Sequence, residues 1–227
     1  MNQTVTQAII LSRTNYGEAD RILTVLTPRG KYSLLAKGVR KERSKLAGGI
    51  ELLSVSELSF LRGRGEMQTL TSSRLKTHFG NIVQNVDRTM FAYEFLKTIN
   101  QITEQSLTED YFQLAKQTLR ALNSDTVALD IVRLWFFVQL LRLEGHAPNL
   151  KTNATGVLLI EAPRYVFDFD RMAFSVGKGL FTMRHIKLLR LLDSLPDSSK
   201  LSQLQPDALE AVPEAERLIR SILRHQQ

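Results

Sequence analysis

Residues 21–39 read RILTVLTPRGKYSLLAKGV. Arg21 to Thr27 alternates polar with apolar residues, Thr27-Pro28-Arg29-Gly30 makes a turn, and Lys31 to Val39 resumes the alternation. Proline presets φ near about −65° where a turn needs it, and glycine accepts a positive φ at the other end. A period of two with a turn in the middle predicts a β-hairpin. Upstream, Ala8 to Ser12 is an apolar run. Downstream, Glu51 to Leu61 and Met67 to Lys76 are two further strand-like runs, with Arg62-Gly63-Arg64-Gly65 turning between them. Five short strands before residue 80, with no helical period among them, predict a small closed barrel of the OB type.

Past Gly80 the period changes. Phe91, Phe95, Ile99 and Ile102 fall on one helical face over 87–102. Thr108 is placed to cap a second helix whose first turn carries Glu109 and Asp110, both favoured near the positive end of a helix dipole. A third helix is expected from Ser124-Asp125 to Gly145, with Pro148 just beyond. It is apolar nearly all round, which predicts the buried centre of a helical domain. Val157–Glu161 and Tyr165–Asp170 then read as a hairpin inserted over about 146–178. Helical spacing returns at Met183–Leu195, and a last helix starts at Pro213, a residue suited to a first turn. The expected class is α+β: a barrel over 1–80, then a helical domain over 81–227 carrying the small hairpin.

The net charge is +7, and its distribution is uneven. Residues 1–80 hold 13 Lys and Arg against 6 Asp and Glu, whereas the remaining residues hold 17 of each. The whole excess lies in the expected barrel, which points to a polyanionic partner and above all to nucleic acid. There are no cysteines, so disulfides and thiolate metal sites are excluded, and the four histidines are too dispersed for a metal or a catalytic triad. Neither zinc nor any cofactor is expected. The N-terminus lacks a signal-peptide pattern, and the apolar run Leu134–Leu141 is too short to span a bilayer, so the expected setting is cytoplasmic and nucleoid-associated, without a membrane partner.

The densest charge is Lys31, Lys37, Arg40, Lys41, Arg43 and Lys45, opposed only by Glu42 and closed by Gly48-Gly49. With Arg62, Arg64 and Arg74, and Lys76 beside them, these cations suit phosphate contacts, each of which releases condensed counterions. Their competing reading is a solubilising surface loop. Tyr16, Tyr32, Phe60 and Phe79 are the aromatics available for base stacking, and some must be core, so backbone binding is the better supported mode. A catalytic alternative rests on Glu161, Asp168 and Asp170, three carboxylates on the expected hairpin that could hold Mg²⁺ for nuclease chemistry. Their plainer reading is the polar face of a half-exposed hairpin. An RNA-binding barrel is a further alternative, since phosphate contacts do not distinguish the sugars. In the helical half, Lys116, Arg120, Arg133 and Arg142 could rim an apolar pocket for a peptide ending in aromatic residues and a carboxylate.

Tyr16-Gly-Glu-Ala-Asp-Arg-Ile-Leu-Thr24 resembles the N-terminal signature of the RecO family of bacterial recombination mediators. Lys37-Gly-Val-Arg40 with Ser44 and Gly48, Arg62-Gly-Arg-Gly65, and Leu143-x-Gly145-x-x-Pro148-x-Leu150 resemble its later blocks, in the same order. The resemblance implies a non-enzymatic protein that binds single- and double-stranded DNA and anneals complementary strands. It also implies action on DNA coated by single-strand-binding protein (SSB), through that protein's acidic C-terminal tail, helping RecA load together with RecR and, in some settings, RecF. Lys37, Arg40, Lys41, Arg43 and Lys45 match the family's basic loop, and Arg62 and Arg64 its glycine-flanked turn. Many members carry two cysteine pairs for zinc after the Gly-x-x-Pro turn; here Lys151–Gly156 and everything after it has none.

Overall fold

The computed structural model describes residues 3–61, 67–103, 109–161, 164–204 and 209–225. The chain forms two compact units, 1–124 and 125–227. The change from strands to helices at Gly80 and the division between units therefore fall at different places.

The first unit is built on a closed five-stranded barrel of order β1-β2-β3-β5-β4. Its strands are β1 (Gln3–Tyr16), β2 (Asp20–Thr27), β3 (Gly30–Ala36), β4 (Ser54–Leu61) and β5 (Gln68–His78). The long β1 serves two partners: Gln3–Ile9 pairs with β4, and Ile9–Tyr16 pairs with β2. Its register shifts between Ile10 and Ser12, where the strand bends from one neighbour to the next, as a β-bulge allows. Parallel pairing of Leu34 and Leu35 in β3 with Gln68 and Thr69 in β5 closes the ring. This is the OB topology that the hairpin predicts. Alternation sends Ala8, Ile10, Leu23, Val25, Leu34, Leu58 and Phe60 inward, all at most 1% exposed.

Two helices complete this unit, α1 (Val86–Ile102) and α2 (Glu109–Leu122). Asn85 caps α1 by accepting from the Arg88 N–H, and the Arg88 guanidinium donates to the Leu122 carbonyl at 2.8 Å, joining the two helices. Thr108, the expected cap of α2, lies outside the described residues.

The second unit centres on α3 (Leu129–Leu143), buried from Ile131 to Leu141 except at Arg133. It begins later than the sequence suggests: Asp125–Val127 form a turn that buries Val127, and Ala128 is the N-cap. At its other end Gly145 donates to the Arg142 carbonyl and His146 to that of Leu141, a Schellman ending. Trp135, Gln139 and Arg142, one face of α3, donate to the carbonyls of Leu195, Leu192 and Asp193 at 2.8, 2.7 and 2.9 Å. They thereby satisfy the C-terminal end of α4 (Met183–Ser194). The last helix, α5 (Val212–His225), packs on α3 with Pro213 in its first turn.

The inserted sheet has three strands, β6 (Asn149–Asn153), β7 (Tyr165–Asp168) and β8 (Ala173–Val176), in the order β6-β8-β7. The hairpin is β7 with β8, turned at Asp168, whose carboxylate accepts from the Arg171 N–H. The run 157–161 is not its second strand. Val157, Leu158 and Ile160 are exposed, and Leu158 meets Thr152 only through an isolated bridge.

Candidate nucleic-acid interface

The basic loop joins β3 to β4, and two apolar anchors set its shape. Val39 is 3% exposed within the barrel core, and Leu46 and Ala47 pack against the same core. Between these anchors Arg40, Lys41, Glu42, Arg43 and Lys45 all face solvent. The near end is tied to the β1–β2 turn. Asp20 Oδ1 accepts from the Gly38 N–H at 2.6 Å, the Ala19 carbonyl from the Arg40 N–H at 2.9 Å, and the Gly17 carbonyl from Arg40 Nη1 at 3.3 Å. Two sequence blocks about 20 residues apart, Tyr16–Asp20 and Lys37–Arg40, are thus one structural feature.

The far end is tied to β5. Ser73 Oγ donates to the Leu46 carbonyl at 2.8 Å, and Gly49 lies against the same serine. A Cβ on Gly49 would stand 2.6 Å from the Ser73 Cβ and 2.7 Å from its backbone carbon, so only glycine fits. Gly48, by contrast, opens on empty space. The loop is therefore braced against the barrel, not a freely moulding segment, and the two glycines have unequal roles. The result is a fixed arc of four cations with Lys37 exposed at its base.

Not every cation expected at the interface belongs to this arc. Lys31 is half-buried, and its ammonium donates to the Asn100 carbonyl and side chain at 2.8 and 3.2 Å, fastening β3 to α1. Arg74 stands opposite Glu57 in the β4–β5 register, and Glu57 binds Lys76 at 3.2 Å. Because Ser73 faces the loop anchor, alternation turns Arg74 to the other side of β5. Arg62 and Arg64 lie outside the described residues. Of the four candidate aromatics, Phe60 and Phe79 are buried, and Tyr32 packs on Phe60 at 5.2 Å between centroids. Tyr16 is 52% exposed at the root of the braced turn, where a base could stack beside the arc.

The helical cations do not form one rim. Lys116 and Arg120 lie one turn apart on α2, and Lys116 reaches Gln7 at 3.4 Å. Arg133 and Arg142 are nine residues apart on α3, hence on opposite faces. Arg133 faces Asp130 at 3.6 Å, and Arg142 holds the end of α4. The second unit instead has a cleft of about 340 Å³ floored by Phe167, Phe169, Leu180, Phe181 and Leu218, with Arg217 and Glu214 on its rim. No sequence pattern announces this cleft, because its walls come from β7, α5 and the segment around Leu180.

The carboxylates of the nuclease alternative stand apart in their bonding. Glu161 pairs with Lys187 at 3.3 Å, Asp168 pairs with Arg171 at 3.2 Å, and Asp170 is exposed in the turn after β7. Among the described residues, no three His, Asp or Glu side chains gather as a metal site would require.

Comparison with known proteins bears on the family. Residues 1–79 match the family model described as the N-terminal domain of recombination protein O. The chain is 33% identical over 235 residues to the DNA repair protein RecO of Roseiflexus sp. (strain RS-1), covering 97% of this chain and 80% of that one. It is 37% identical over 148 residues to the DNA repair protein RecO of Dehalococcoides mccartyi (strain ATCC BAA-2266), covering 64% and 58%. It is 35% identical over 151 residues to that of Acetivibrio thermocellus, covering 65% and 59%. The last two matches thus span less than two thirds of those relatives. The motif blocks, the barrel topology and the match to Roseiflexus along nearly the whole chain together place this protein in the RecO family of DNA repair proteins.

Proposed function

We propose that this chain is a non-enzymatic mediator of recombinational repair that grips the sugar–phosphate backbone of DNA and leaves the bases free to pair. The braced arc of Arg40, Lys41, Arg43 and Lys45 carries the proposal. Four exposed cations held at fixed spacing suit phosphates, and the surrounding surface presents too few aromatics for tight stacking of successive bases. Such a grip serves both single and double strands and lets two complementary strands meet. Arg62 and Arg64 are assigned to the same grip, and Arg74, on the other side of β5, is not.

In this role the protein acts on DNA coated by SSB, binds the acidic tail of SSB through its helical part, and works with RecR, and with RecF in some settings, to load RecA. Lys116, Arg120, Arg133 and Arg142 share no one surface and are not assigned to a single tail site. The apolar cleft, where Arg217 stands beside Glu214, supports the same reading through its floor, because a hydrophobic tail needs an apolar surface, and Arg217 is the cation that its carboxylates would meet.

The test is strand annealing. With naked and SSB-coated complementary oligonucleotides, the protein should accelerate duplex formation in both cases, and labelled single strands should keep their full length in Mg²⁺. Shortening of the label would replace the proposal with the nuclease reading. Failure to anneal would leave a DNA-binding protein of another kind.

A further inference from the structure

Tyr16 carries an aromatic ring that the fold itself does not use. It is 52% exposed, and among the described residues no hydrogen bond, cation or second ring engages its side chain. Tyr16 ends β1 opposite Asp20, the first residue of β2, and side chains directly opposite in an antiparallel pair leave the same face. Asp20 sends its carboxylate to the Gly38 N–H at 2.6 Å, so Tyr16 shares the face from which the hairpin holds the start of the basic loop. Arg40 is fixed closer still. Its Nη1 donates at 3.3 Å to the carbonyl of Gly17, the next residue in the chain. A guanidinium and a free ring are thereby anchored on consecutive residues, whose Cα atoms are about 3.8 Å apart. That is the scale of one nucleotide, in which a single sugar joins phosphate to base.

An isolated exposed tyrosine is ordinary, since its phenol is at ease in water. This one stands at the root of a braced turn, and the charges around it separate bases from phosphates. Glu18 is exposed in the same turn and Glu42 in the basic loop, while Asp20 is engaged by Gly38. Glu18 repels a phosphate from the tip of the turn. A base is uncharged and stacks on the ring regardless, which leaves the phosphates to Arg40 and the cations beyond it.

We infer that Tyr16 is a single-base platform that makes the grip selective for single strands. The inference rests on the reading of Arg40, Lys41, Arg43 and Lys45 as a phosphate grip. Inside a duplex both faces of a base are covered by its neighbours, so only an unpaired base lies on the ring. Every base has a π-face, so the contact tolerates any sequence. With one free ring beside the arc among the described residues, one base is held and those next to it stay free to pair. When pairing reaches the held base, it joins the duplex and leaves the ring. The annealed product then keeps the phosphate contacts alone and departs sooner than the strand it came from.

Anisotropy titrations of the full chain with a labelled single strand, and with the duplex of the same length, test this. Tyr16→Ala should weaken single-strand binding about fivefold or more and duplex binding less than about twofold. Tyr16→Phe and Tyr16→Trp keep a ring and should hold single strands as the unaltered chain does. The slope of log affinity against log salt should be the same for Tyr16→Ala as for the unaltered chain, because no phosphate contact is lost. Retained duplex binding shows that the loop and its brace are intact in the variant. The inference is overturned if Tyr16→Ala weakens both substrates equally or neither, or if Tyr16→Phe loses as much as Tyr16→Ala. Failure of the phosphate grip itself looks different: alanine at Arg40, Lys41 and Arg43 would then leave both substrates bound as before.

Discussion

Arg40, Lys41 and Arg43 carry the most direct prediction. Replacing all three with alanine should weaken DNA binding by a similar factor for unrelated sequences. The slope of log affinity against log salt should flatten by about 0.7 for each single-strand phosphate released from the grip. Titrations at several salt concentrations measure both, and an unchanged slope would return the loop to a solubilising role. Gly49 supports a second prediction, because its neighbour is backbone as well as side chain. Gly49→Ala forces β5 and the loop apart and should lower stability by about 1–3 kcal/mol, while Gly48→Ala, facing open space, should leave the melting temperature nearly unchanged. Thermal unfolding of the two variants decides it. The arc itself is legible in the sequence, since contiguous charge is visible without a fold. That Asp20 holds Gly38 is not, because the bond spans two strands of barrel. Nor does the sequence show that Lys31 is committed to Asn100, 69 residues away.

Among the elements, α4 offers a pH-dependent test. His185 is buried at its third position, where Nδ1 accepts from the Thr182 N–H and lies 3.0 Å from the Thr182 hydroxyl, closing a capping box. Burial holds its pKa below the ordinary 6.5, and Arg164 and Arg184 push the same way, while Glu214 opposes them. Above 6.5 both folded and unfolded chains carry a neutral imidazole, and the stability is whole. As pH falls through 6.5 toward the lower folded value, the unfolded chain binds the proton first and stability drops. Urea unfolding across this range should show the loss. His185→Gln keeps a capping-box residue without a titrating group, so its stability should vary less with pH. The five barrel strands are legible because alternation and turn residues coincide. The inserted sheet is legible only in part: the turn from β7 to β8, Asp168–Met172, contains neither glycine nor proline, and the apolar run 157–160 imitates a strand while mostly facing solvent. The start of α3 is misread for a related reason, since Val127 is buried from a turn that precedes the helix.

For the molecule as a whole, the first compact unit extends well past the barrel that the family model matches. Lys31 is tied to α1, and Asn81, just after β5, binds Asn123 beyond the end of α2. A fragment of residues 1–124 should therefore unfold cooperatively and keep salt-dependent DNA binding. A fragment of residues 1–80 should melt at lower temperature, because it lacks the helices that cover its strands. Calorimetry and DNA titration of both fragments would check this, and equal melting temperatures would show that the helices add nothing to the barrel. The brace at Asp20 also has a kinetic meaning. An arc already ordered when the barrel closes requires no rearrangement as a strand arrives, so encounter is governed by diffusion and charge. With only a handful of phosphates engaged, residence should be short and set by salt. A rigid hand with a light hold can pass a strand onward, which a loop that froze around its cargo would do only slowly.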